Sequence, residues 1–151
     1  MYHYFLIFHS YYRWAVLFAL VSQLIWLYIN QRNNTIFQIK HYQLVIVFTF
    51  IYNIQFVLGW LLYLNSPLVT GFWSDIESGV KNRQLRFFGL EHMSMMTLAV
   101  LLINVFTLTV KSKINQNGFR YLWKRYIWIT LIILSSIPWS FSPLTSRPNL
   151  R

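Results

Sequence analysis

The chain of 151 residues is 56% hydrophobic and 20% aromatic, with only 11% charged residues, far below the roughly 25% of a soluble domain, so a soluble globular fold is excluded. Its formal net charge of +10 rests on 13 Lys and Arg against three acids, but the basic residues fall in short connections between apolar runs, which points to membrane topology rather than nucleic acid. There is no cysteine, which excludes covalent c-type haem, thiolate-held iron–sulfur clusters and disulfides, and leaves only noncovalent cofactors or His, Met and carboxylate ligands.

Four apolar stretches approach the length that a bilayer's hydrocarbon demands, with little chain left over. The expected fold is therefore all-α: a polytopic membrane protein, one membrane domain over residues 1–151, built as an antiparallel bundle of four transmembrane helices at about 4–28, 42–64, 87–110 and 126–137. The first stretch lacks a basic leader and an A-x-A-like cleavage site, and its apolar run is too long for a signal-peptide core, so it reads as a permanent helix. Within it His9, Arg13, Val16, Leu20 and Gln23 recur at helical spacing and share one stripe, which should look into the bundle. Tyr and Trp at both its ends fit aromatic belts at the two interfaces.

After a polar loop with Arg32 and Lys40, the second span carries Asn53, Gln55 and Gly59 and ends at Asn65-Ser66-Pro67, where proline stops the helix. Asn53 and Gln55 lie two residues apart and point to opposite sides, so they cannot serve one site together. The connection 68–85 holds Asp75 and Glu77; Ser74-Asp75-Ile76-Glu77 has capping-box spacing, suggesting a short interfacial helix with Phe72 and Trp73 dipped into the headgroups. Lys81, Arg83 and Arg86 lead into the third span, RFFGLEHMSMMTLAVLLINVFT, which carries Glu91 and His92 near its start. Ionisable residues inside a span are costly unless paired or turned to the protein interior, so they mark a functional site by default. The next loop has Lys111, Lys113, Arg120, Lys124 and Arg125 and no acid, and the fourth span ends at Pro138-Trp139. By the positive-inside rule the first and third loops are cytoplasmic and both termini face outward.

That topology puts the start of span 1 and the start of span 3 at one membrane face, with His9 and His92 at matched depths of about 7 to 8 Å at 1.5 Å per residue. Two imidazoles at equal depth on different helices suit the two axial positions of a haem iron, one bis-histidine site near the outer leaflet. Such a haem would bury its body against Met95, Met96, Phe87 and Phe88, with Arg13, Arg86, Arg83 or Lys81 available to its propionates. Glu91 points about 100° away from His92 and is expected instead to pair with Arg13 across the interface, cancelling two charges. His3 and His41 lie at span boundaries and read as solvated. No catalytic nucleophile or acid–base pair stands out.

HSYYRW in span 1, Q-x3-G-x3-Y-x2-SP closing span 2, RFFGLEHMSMM opening span 3 and IPWSF closing span 4 together resemble the small bacterial four-helix membrane proteins labelled cytochrome b, or cytochrome b561-like. The resemblance covers nearly the whole chain. It implies a multi-pass protein of the bacterial cytoplasmic membrane that binds haem b noncovalently through His9 and His92 and transfers electrons, as a carrier or quinol-linked subunit, with quinone or other membrane subunits as partners. One departure stands out: similar sequences are expected to have a histidine where Asn53 stands. The alternative reading is a cofactor-free accessory or assembly subunit of a larger membrane complex, in which His9, Arg13, Glu91 and His92 form a structural polar clamp.

Overall fold

The computed structural model describes residues 2–139, and the described residues are all-helical. Helix α1 spans Tyr2–Arg32; no Gly or Pro interrupts those residues, and the helix ends where Asn34 takes a left-handed φ of 51°. Helix α2, Ile39–Leu64, opens on a local clasp in which the Gln38 N–H donates to His41 Nδ1 (3.0 Å). Three short helices follow, α3 (Pro67–Ser74), α4 (Ile76–Lys81) and α5 (Arg83–Arg86). A π-helical turn, Phe87–Glu91, then feeds α6, His92–Val110. A 3₁₀ turn at Lys111–Lys113 and a tight loop precede α7, Gly118–Ser136.

The four long helices close into a ring, α1 against α2 and α7, and α6 against α2 and α7, so α1 and α6 are the diagonal pair. Three helical stretches are long and apolar enough to cross a membrane: Tyr2–Arg32, Ile39–Leu64 and Arg83–Lys113. Helix α7 completes the ring, yet Arg120, Lys124 and Arg125 occupy its first half; its apolar remainder covers only about 16 Å. The surface fits a lipid environment, since Phe18, Phe50, Leu108 and Trp128 all stand well exposed where a soluble bundle would place charge.

The end bearing the 33–38 and 111–117 loops is closely packed. Leu27, Phe37, Val45, Val110 and Leu122 are all fully buried there. The Asn115 N–H donates to the Phe37 carbonyl at 2.6 Å and the Phe37 N–H to the Gln116 carbonyl at 3.2 Å, so the two loops are stitched together. Gly118 is required by that stitch: a Cβ would lie 2.5 Å from Phe37 Cγ.

Two local expectations change. The fourth helix starts at Gly118 rather than near residue 126, because its basic side chains sit outside the core: Arg120 and Lys124 are exposed, and the Arg125 guanidinium stacks 3.5 Å over the Tyr121 ring. The connection between α2 and α6 forms three short helices, and the cap is Asp75, not Ser74, with Asp75 accepting from the Ser78 N–H at 3.1 Å. Phe72 does not reach outward; it is buried under Gly79 and Gly89, while Trp73 stays exposed and donates to the Tyr63 hydroxyl.

Candidate functional site: a chamber lined by the four long helices

The predicted stripe on α1 faces inward, with Val16, Leu20 and Gln23 buried and His9 and Arg13 lining a chamber of about 140 Å³. All four long helices contribute to its wall. Tyr52, Gln55 and Gly59 come from α2, His92, Met93, Met96 and Ala99 from α6, and Ile133 from α7; Val69 of α3 also lines it. The wall is mainly apolar, so its few polar atoms decide what it can hold.

His92 is anchored. Its Nδ1 lies 2.7 Å from the Ser136 carbonyl, and a carbonyl only accepts, so Nδ1 carries the proton and Nε2 of the neutral ring keeps a lone pair. The π turn sets this ring on the inner face. Its signature bond runs from the His92 N–H to the Phe87 carbonyl, and the Gly89 carbonyl within the turn accepts from the Tyr63 hydroxyl at 2.8 Å.

His9 stands opposite, with ring centres 6.4 Å apart and planes at 84°. Gln55 from α2 clamps it: the amide Nε2 donates to the His9 backbone carbonyl at 3.0 Å and comes within 3.4 Å of His9 Nε2. A Cβ on Gly59 would meet His9 Cε1 at 3.2 Å, so the absence of a side chain there gives the ring its seat. Three buried polar atoms of the chamber's own residues remain unpartnered: His9 Nδ1, Arg13 Nε and Gln55 Oε1. Buried polar groups of this kind normally find partners.

Other expected residues fall elsewhere. Arg13 does not pair with Glu91; Glu91 Oε1 accepts from Arg86 Nε at 2.7 Å, because the π turn brings residues five apart onto one side. Arg86 also donates to the Val80 carbonyl at 3.0 Å, and neither it nor Met95 lines the chamber, whereas Met96 does and so does Met93. Arg83 and Lys81 are outside it too, with Lys81 tied to Glu77 at 2.7 Å. Asn53 forms a reciprocal amide pair with Asn104 at 2.9 and 3.1 Å and is not part of the chamber wall. His41 caps α2 instead of meeting solvent alone, and the serine–phenylalanine end of IPWSF lies outside the described residues.

The donor set and the space give different answers for a haem. Imidazoles on opposite sides of one metal, with metal–nitrogen bonds of about 2 Å, have ring centres about 6 Å apart, close to the 6.4 Å seen here. A carbonyl on Nδ1 is also the usual support of a metal-bound histidine. Yet a cavity of about 150 Å³ holds one benzene, and the chamber, at about 140 Å³, does not accommodate a porphyrin in this conformation. Among the described residues there is no group of three or more His, Cys, Asp or Glu side chains arranged for a metal ion.

No family model, curated protein or solved structure matches the chain.

Proposed function

We propose that this is a four-span protein of the bacterial cytoplasmic membrane whose outer-half chamber binds a small amphipathic molecule drawn from the bilayer. The observation that carries the reading is the coincidence of three unpartnered buried polar atoms, His9 Nδ1, Arg13 Nε and Gln55 Oε1, with one largely apolar chamber in a lipid-facing bundle. Leaving such groups unsatisfied costs about 1 to 3 kcal/mol each, and a ligand with matching polar atoms recovers that cost on binding. The proposed orientation puts both termini outside. Arg32, Lys40, Lys111, Lys113, Arg120, Lys124 and Arg125 gather at the end bearing the 33–38 and 111–117 loops, whereas at the other end Lys81 and Arg86 are neutralised by Glu77 and Glu91. The basic, acid-free end is the cytoplasmic one by the positive-inside rule.

The test is extraction of small molecules from the protein purified in lipid nanodiscs, with Ala99→Phe narrowing the chamber and Leu108→Phe as a lipid-face control. A species enriched with the wild type and the control but lost from Ala99→Phe supports the reading. Identical extracts from all three contradict it.

A second reading, haem b held between His9 and His92 with an electron-transfer role, is favoured by the ring spacing of 6.4 Å and by the Ser136 carbonyl on His92 Nδ1. It requires α1 and α6 to part, since the macrocycle exceeds the chamber. A Soret band lost in both His9→Ala and His92→Ala supports it; a colourless protein grown with haem in excess removes it.

A further inference from the structure

We infer that the lipid-facing side of α7 holds one anionic phospholipid, its phosphate set against Arg120 and Lys124 and its acyl chains running along Trp128 and Leu131. The inference rests on the proposed placement of the bundle in a bilayer, but it needs neither a ligand in the chamber nor the assignment of the cytoplasmic end.

Helical spacing builds the stripe. In α7 the positions that turn inward, Phe119, Leu122, Tyr126, Ile129 and Ile133, are buried, so residues 120, 124, 128 and 131 fall on the opposite side, and all four are exposed. Arg120 and Lys124 are one turn apart, about 6 Å along the axis, and both side chains are long enough to converge on one phosphate. Trp128 and Leu131 continue the same stripe in apolar residues. Cations followed by an apolar run match the order of head and tail in a phospholipid.

The neighbouring helices fix the level of the two cations. On the α1 side, the Tyr28 ring lies 5.2 Å from the Trp123 ring. On the α6 side, the Thr109 hydroxyl is 2.7 Å from the Tyr121 hydroxyl, and the Arg125 guanidinium lies 5.3 Å from the Phe106 ring. Around these contacts α1 exposes Ile25 and Ile29, and α6 exposes Val105 and Leu108, side chains that suit hydrocarbon. Arg120 and Lys124 therefore stand in a cationic notch between two apolar flanks. Charge at such a level is costly unless its head reaches the headgroup layer or meets a counter-charge.

The protein supplies no counter-charge. Among the described residues, no hydrogen bond or ion pair takes up the Arg120 or Lys124 side chain, and Arg125 beside them is turned to the Tyr121 ring and carbonyl. The three acids of the chain, Asp75, Glu77 and Glu91, lie beyond the far end of α2, so a second copy in the same orientation brings no carboxylate to the notch. The phosphate of an anionic lipid answers it, and the acid-free loops with Lys40, Lys111 and Lys113 add to the attraction. Phosphatidylcholine is the poorer occupant, because its own ammonium cancels the phosphate charge.

The test uses the full-length protein in nanodiscs of equal phosphatidylglycerol and phosphatidylcholine, released into a mass spectrometer so that the lipids remaining bound are counted. Each cation near an anionic lipid is worth about fivefold in affinity, so two should favour retained phosphatidylglycerol by about tenfold or more. Arg120→Gln/Lys124→Gln is expected to bring retention of the two lipids to near parity. Lys40→Gln/Lys111→Gln removes the same charge from the loops and should keep most of the preference, as should the charge-conserving Arg120→Lys/Lys124→Arg. The preference is read first on the unaltered protein, so a variant that fails to fold does not remove the test. Equal retention of both lipids by the wild type, or an equal loss in the two charge-neutralised proteins, overturns the inference alone. A chain that does not enter the nanodiscs overturns its membrane placement and this inference with it.

Discussion

The imidazoles of His9 and His92 face each other across the bundle's diagonal, ring centres 6.4 Å apart and planes at 84°, although 83 positions separate them in the chain. Each ring is fixed by a different device. A carbonyl of α7 holds His92, and on the other side an amide of α2 and the bare backbone of Gly59 hold His9. The site therefore belongs to four helices at once, and disturbing its seat should alter binding before it alters stability.

Gly59→Ala tests that seat. The new methyl group would come within 3.2 Å of His9 Cε1, and the ring lines the chamber rather than packing against protein on every side, so it can shift by a few tenths of an ångström. Stability in mixed micelles should change by less than about 1 kcal/mol, while affinity for the chamber's ligand falls several-fold. An unchanged affinity would mean that the position of His9 does not matter to binding.

Tyr52→Phe addresses the buried polar layer beneath the chamber. The Tyr52 hydroxyl donates to Gln23 Oε1 at 2.7 Å, next to the Thr49–Thr107 hydroxyl pair, also at 2.7 Å. Removing the hydroxyl should cost about 1 to 2 kcal/mol, the upper part of the range for hydrogen bonds between membrane helices. The Tyr52→Phe/Gln23→Leu double variant should lose less than the sum of the single losses, because the two groups are partners. Strict additivity in the unfolding free energies would deny that coupling.

Gly118→Ala should be the most damaging small substitution at the other end. Its Cβ would fall 2.5 Å from Phe37 Cγ, within the stitched loops, and overpacking of this kind costs about 1 to 3 kcal/mol. Adding Phe37→Leu should restore part of the loss. Thermal unfolding of the three proteins reads the result, and no rescue would mean that the close approach is not the source of the damage.

Glu91→Gln should be mild. Arg86 and Glu91 are each more than a third exposed, and a partly solvated ion pair contributes about 0 to 1 kcal/mol. Ligand affinity should not move, since neither residue lines the chamber. A large loss of binding would place Glu91 in the site and revive its proposed pairing with Arg13.

Asp75 gives the connection between α3 and α4 a pH dependence. Hydrogen bonds from Ser78 hold its carboxyl below the ordinary carboxylate range, so its capping contribution is present above the unfolded value and is lost as pH falls through the lowered one. The Ser78 amide resonance should shift toward its position in Asp75→Ala on acidification, and it should hold steady in Asp75→Asn, whose amide oxygen still caps. A Ser78 resonance insensitive to acid would exclude the cap.

Much of the α1 contribution was legible in its spacing, because His9, Arg13, Val16, Leu20 and Gln23 follow an uninterrupted helical period and the helix is regular throughout. Regularity fails at Phe87–Glu91. An α-helical reading turns Glu91 toward a neighbouring helix and Arg13, whereas the π turn hands it to Arg86, and local sequence carries no clear mark of that extra residue. The Tyr63 hydroxyl also donates to the Gly89 carbonyl of that turn, a tertiary bond invisible to spacing. Gln55 was legible as a polar residue of the second span on the side opposite Asn53, but its target, the backbone of His9, was not. The Ser136 carbonyl that orients His92 has no side-chain signature at all. The start of α7 was hidden by Arg120, Lys124 and Arg125, which look like a loop until Gly118 and Phe37 are seen to lock together.

The chain's lack of cysteine permits a direct measurement of the central claim, that the chamber between the four long helices is a binding site. Met96→Cys introduces a thiol in the chamber wall, and Leu108→Cys introduces one on the exposed face. Both proteins, in nanodiscs, are labelled with a small methanethiosulfonate reagent with and without decanol, a small amphiphile whose hydroxyl both donates and accepts. The account predicts that the amphiphile slows labelling at position 96 in a saturable way and leaves position 108 unaffected. Equal labelling rates at position 96 with and without saturating amphiphile would contradict it.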